Sequence, residues 1–145
     1  PIFSQQKTAS IKAGPVKSNN SSTDLSKSYG DHIAELRRNY ESSLIHVNSE
    51  NGAMGIEGVL IHSGSESRYF ADDRIIPFQA YGHFLHWLPL NRPDQFVYIA
   101  PTQQAIYFQV VPQDFWYEQT IMTESSWDEQ FKIIRLTSAG ELGKH

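Results

Sequence analysis

The chain contains no cysteine. Disulfide bridges, thiolate nucleophiles and cysteine-based zinc sites are thereby excluded, a composition that suits the cytoplasm. Long apolar runs are missing too. No stretch approaches the roughly 20 residues of a membrane span, and the opening PIFSQQKTAS holds no apolar segment of signal-peptide type. Basic clusters are scarce. The densest is the pair Arg37-Arg38, and the formal net charge is −4, which argues against nucleic acid as a partner. Neither GxGxxG nor a phosphate-binding P-loop occurs, so nothing points to a nucleotide. HExxH and GxSxG are absent as well, and the run HSGSES resembles the latter only superficially.

What is present suffices for one folded domain. The chain has 145 residues, of which 39% are hydrophobic and 12% aromatic, as expected of a chain that builds a core rather than a disordered one. Residues 1–23 are polar and poor in large apolar groups, and they read as a flexible tail. The folded part is then 24–145. It opens with Leu25, Tyr29, Ile33, Leu36, Tyr40, Leu44 and Val47, whose spacings of four and three predict one face of an amphipathic helix. Thr23 or Asp24 is a candidate cap. Gly30 weakens the helix by about 1 kcal/mol relative to alanine, so Asp31 is a second candidate start.

Further along, IEGVLIH (56–62) predicts a buried strand ended by Ser63-Gly64. The run SESRYFADD is too polar for a central strand and reads as short helical or irregular. HFLHWLPL, FVYIA and AIYFQVV, joined by the turn-forming NRPDQ and PTQQ, predict three strands of an antiparallel meander. A helix near Ser126–Gln130 and a last strand, FKIIRL (131–136), complete the order. The class is α/β: a mixed β-sheet with an antiparallel meander, flanked by helices. On a strand, His83 and His86 point to opposite faces and would share a face only on a helix, so no metal site is expected there. His62 ends a strand and is given no role.

Several strings recur together. They are His62-Ser63-Gly64, Phe70-x-Asp72-Asp73, Pro77-Phe78, Phe84-x-x-Trp87-Leu88-Pro89 and Asp114-Phe115-Trp116. In this order and at these spacings, from about Ile33 to Leu136, the chain resembles the amino-terminal domain of bacterial prolidases. These are the Xaa-Pro dipeptidases, a group that includes organophosphorus acid anhydrolases. The resemblance implies a domain of the creatinase/aminopeptidase P amino-terminal type. In that family it precedes a catalytic domain with two divalent metals, usually manganese, held by two Asp, one His and two Glu. All five ligands lie beyond the matched region, so this chain is expected to bind no metal and to cleave nothing alone, and to be incomplete at its C-terminal end. The whole protein would hydrolyse dipeptides ending in proline and act as a cytoplasmic homodimer.

The same resemblance singles out Asp73 and Trp116. It implies that the acid at Asp73 reaches across the dimer into the neighbour's substrate pocket, where a fixed carboxylate would pair with a dipeptide's ammonium. From the residues alone, Asp72 and Asp73 equally suit a polar turn, one of them capping a helix. Trp116 would line the same pocket with a flat apolar ring, although a Trp between Phe115 and Tyr117 also suits a core. A stand-alone binding or assembly module that keeps the fold without the chemistry is the alternative function.

Overall fold

The four- and three-residue spacing from Leu25 to Val47 does wind into a helix, and a longer one than the candidate caps implied, but Leu25, expected on the apolar face, is exposed because it lies near the helix start, outside the core. In this computed structural model, which describes residues 21–50, 55–112 and 125–145, helix α1 spans Ser21–Glu50. It therefore opens inside the stretch read as tail and runs through Gly30 unbroken. A Cβ on Gly30 would lie 3.2 Å from Gln130 Nε2, so the bare backbone lets α1 lie close against helix α3 (Ser125–Gln130). That packing offsets the weak helix propensity of glycine. Ile33 and Leu44 are buried, with Tyr29, Leu36 and Tyr40 packed half-buried on the same core.

One strand assignment is overturned. HFLHWLPL forms a short helix, α2 (Gly82–Trp87), rather than the first strand of the meander. Phe84, Trp87 and Leu88 are all fully buried. Spacings of three and four bring them to one side of a helix, whereas a strand would send 84 and 87 to opposite faces. Pro89 cannot continue the helix, and the Leu88 N–H closes it on the Phe84 carbonyl at 2.9 Å.

The meander nevertheless exists, with a different first member. Strands β1 (Val59–His62), β2 (Phe96–Ile99) and β3 (Ile106–Val110) pair antiparallel in that order, and β4 (Lys132–Leu136) joins β3 in parallel. A 3-10 helix, Ala139–Lys144, follows. Alternation sorts the side chains by face. Ile61, Val97, Ile99 and Tyr107 pack with Phe84, Trp87 and Trp127 from the helices and with Phe131 between α3 and β4, and this is the main core. Phe96, Phe108, Val110 and Leu136 form a smaller cluster on the opposite face, capped by Leu142. No helix among the described residues is long and apolar enough to cross a membrane.

Gly58 holds the entry to β1 against β2. A Cβ there would stand 2.6 Å from the Tyr98 ring and 2.7 Å from the Ile99 carbonyl oxygen. The ring can move, but the carbonyl cannot without disturbing the Val59–Ile99 register. Gly58→Ala is expected to lower stability by about 1–3 kcal/mol, the usual range for overpacking, read as a reduced urea midpoint. A variant as stable as its parent would show that the approach is looser.

Candidate functional site

Strand polarity brings the segments that carry the two residues singled out from sequence to one end of the sheet. β1 and β3 are both antiparallel to β2, so they run in the same direction. Their last residues, His62 and Val110, therefore lie at the same end, with the start of β2 between them. The register carries this across: His62 faces Phe96, and Phe96 faces Phe108. The chain leaving β1 leads to Asp73. The chain leaving β3 reaches Pro112 and leads, four residues on, to Trp116.

A buried polar knot fixes this end. Gln95, only 2% exposed, exchanges backbone bonds with Ser63: its N–H donates to Ser63 Oγ at 3.0 Å, and the Ser63 N–H donates to its carbonyl at 2.9 Å. Its side-chain amide donates to the carbonyls of Pro93 (3.0 Å) and Val110 (2.9 Å) and accepts from the Tyr107 hydroxyl (2.9 Å) and the Val110 N–H (3.2 Å). Burial pushes the Tyr107 hydroxyl pKa upward, so the phenol stays a neutral donor. Outside the knot, the Asp94 carboxylate accepts from Ser65 Oγ at 2.5 Å and lies 3.4 Å from His62 Nε2, whose ring stacks on Phe96. A cleft of about 210 Å³ opens here, with Glu66, Arg92, Asp94 and Pro112 on its walls.

The stretch SESRYFADD is an ordered arm. Arg68 and Ile75 form an antiparallel bridge. The Ile76 N–H donates to the Ser67 carbonyl at 2.9 Å, the Tyr69 N–H to Arg74 at 3.1 Å and the Asp72 N–H to Tyr69 at 3.2 Å. At the tip, Phe70 is fully exposed and Ala71 takes φ 56°, a left-handed conformation that costs a non-glycine residue roughly 1–2 kcal/mol. Asp72 turns back on Arg74, whereas the side chain of Asp73 projects free into solvent, with Arg68 Nη1 at 3.8 Å.

A family model described as "Xaa-Pro dipeptidase, N-terminal domain" matches residues 27–145. The chain belongs to this family. Among similar proteins, the Xaa-Pro dipeptidase of Colwellia psychrerythraea is 36% identical over 121 residues, which is 83% of this chain and 26% of that protein. The Xaa-Pro dipeptidases of Pseudoalteromonas atlantica and of a Shewanella strain are 31% and 35% identical, with the same coverage. The chain thus spans about a quarter of the length of the relatives it matches.

In this Xaa-Pro dipeptidase N-terminal domain, the two residues singled out from sequence fare differently. Asp73 stands exposed on the arm that leaves the sheet at the His62 end. Trp116 lies outside the described residues. His83 and His86, expected on a strand, share the exposed side of α2 with ring centroids 6.2 Å apart, and His32 on α1 places Nε2 3.0 Å from the His86 carbonyl. Among the described residues, no group of three or more His, Asp or Glu side chains is placed to hold a metal ion. The metal pair that the resemblance implies does not fit these described side chains, and no step of hydrolysis is derived from them. The irregular backbone of SESRYFADD and the polar turn at Asp72 and Asp73 stand as read from the sequence, but the Arg68–Ile75 bridge, the Asp72–Arg74 pair and the bare Phe70 were not foreseen. The signal available was an aspartate two residues ahead of the N–H it accepts from, which is ordinary turn chemistry.

Proposed function

We propose that this domain provides subunit pairing and pocket walls for an Xaa-Pro dipeptidase whose catalytic part, with two divalent metals (manganese in the resemblance above), lies in further polypeptide. The whole enzyme hydrolyses dipeptides with a C-terminal proline, works as a cytoplasmic homodimer, and takes neither nucleic acid nor membrane as partner. One observation carries the reading most: the arm bearing Asp73 and the chain leading to Trp116 leave the sheet at one end, from strands that flank β2. Both can then serve a single neighbouring pocket.

The chemistry assigned to Asp73 is recognition. A dipeptide differs from a longer substrate's interior by its free ammonium, and a carboxylate about 4 Å away stabilises it by about 1 kcal/mol in water and about 4 kcal/mol in a partly desolvated cleft. Trp116 would offer an apolar face to the proline ring. Asp73→Ala in the longer chain is expected to raise KM for an Xaa-Pro dipeptide about tenfold or more, with kcat changed far less, since the lost contact is made equally in ground and transition states. Unchanged KM would remove Asp73 from the pocket. Dipeptide cleavage by the 145-residue chain alone, free of longer enzyme, would overturn the division of labour.

A further inference from the structure

Around the tip of the arm, residues 68–74 carry four ionic side chains, Arg68, Asp72, Asp73 and Arg74, and the two acids among them are in unlike situations. Asp72 engages Arg74 through both oxygens: Oδ1 accepts the backbone N–H at 3.0 Å and Oδ2 accepts the guanidinium Nε at 2.6 Å. The Arg74 guanidinium also lies over the Tyr69 ring, 5.9 Å from its centroid. Asp73 has only Arg68 at 3.8 Å, too far for a hydrogen bond. Little apolar burial secures the tip, where Phe70 is fully exposed, and Tyr69 and Ile75 are half exposed. Polar bonds help to hold the turn with its left-handed Ala71, and the Asp72 side chain makes two of them.

We propose that Asp72 is a positioning residue for Asp73: by gripping Arg74 it fixes the turn and keeps that guanidinium off the neighbouring carboxylate, which stays free for a substrate ammonium. The proposal rests on the reading of Asp73 given above. Two aspartates and two arginines this close in sequence can pair in more than one way. In the observed pairing Arg74 is occupied. In the other, Arg74 sits on Asp73 and a substrate ammonium must displace it. An exposed ion pair adds little stability by itself, so the choice of partner matters more here than the strength of the bond. The Asp72 carboxyl is held below its ordinary pKa, first by the Arg74 N–H and then by the guanidinium. It therefore stays charged, and keeps its grip, throughout the neutral range.

Steady-state kinetics of the longer chain with an Xaa-Pro dipeptide test this. Asp72→Asn keeps an oxygen for the backbone N–H but loses the charge that holds the guanidinium, whereas Asp72→Ala loses both. Each is expected to raise KM about fivefold or more, with kcat within about twofold. Adding Arg74→Gln to Asp72→Asn is expected to return KM towards the parent value, because the competing cation is gone. A purely structural clamp predicts the opposite, since losing its second half cannot help. An unchanged KM in Asp72→Asn, or a double variant with KM as high as the single one, overturns the proposal. Asp73→Ala measured alongside separates the two ideas. If it raises KM and Asp72→Asn does not, only the positioning role fails; if it leaves KM unchanged, the reading of Asp73 falls and this proposal with it.

Discussion

Trp87→Ala is expected to destabilise the domain by about 3–5 kcal/mol, the range for removing a large buried aromatic. Trp87 is fully buried where three helices meet the sheet. Its ring meets Tyr40 edge-on at 5.3 Å and Phe131 at 6.3 Å, and its carbonyl accepts the Tyr29 hydroxyl at 2.7 Å. Truncation thus removes ring contacts to Tyr40 on α1 and to Phe131 just before β4 together, and leaves a void that rigid neighbours can fill only in part. Since whole domains are stable by about 5–15 kcal/mol, the loss is a large share of the total. Urea unfolding followed by far-ultraviolet circular dichroism measures it. A loss below about 1 kcal/mol, the scale of removing one methyl group, would show that Trp87 does not hold these elements together. Trp87→Phe should be far milder, because it keeps a ring and removes an indole N–H that is buried with no hydrogen-bond partner among the described residues.

Gln95→Leu carries the second large effect, for a different reason. Leucine nearly matches the volume of glutamine, so no void of consequence forms. It strands the Pro93 and Val110 carbonyls, the Val110 N–H and the Tyr107 hydroxyl, all of which the amide now satisfies. Each buried polar group left unpaired costs about 1–3 kcal/mol, and these penalties overlap because the groups share one pocket. A total on the order of 3–4 kcal/mol is expected. Tyr107→Phe alone should cost about 1 kcal/mol, the net worth of a typical hydrogen bond. The double variant should fall short of the sum, since the stranded hydroxyl is gone too. Strict additivity in this cycle would show that Gln95 and Tyr107 do not depend on each other.

How far the sequence could be read followed the length of the pattern. α1, with five core positions in register, was legible, although its start was not, because serine and threonine at 21–23 serve as well inside a first turn as at a cap. β2 and β3, bounded by proline- and asparagine-containing turns, stood where expected. HFLHWLPL was not legible. Six helical residues are fewer than two full turns, and a short apolar aromatic run fits both periods until its partners are known. Here the partners are Ile61, Val97 and Trp127, all distant in sequence. Membership of the prolidase family was legible because it rested on spaced strings rather than on periodicity. The polar turn at Asp72 and Asp73 was legible from its residue types, but the arm's bridge and ion pairing were not, since an isolated bridge leaves no hydrophobic signature. The expectation for Trp116 lies beyond what the described residues address.

The shared polarity of β1 and β3 has a consequence for how this domain tolerates change. Main-chain bonding sets the distance between the two exit points at two inter-strand steps, about 10 Å, a ruler that side chains do not alter. The opposite pole, where residues 101–105 link β2 to β3 and 55–58 feed β1, contributes nothing to that ruler. Lengthening the 101–105 link, grafting an epitope there or attaching a probe is expected to leave the spacing of the two exit points intact. A single-residue insertion within β2 would slide both out of alignment at once.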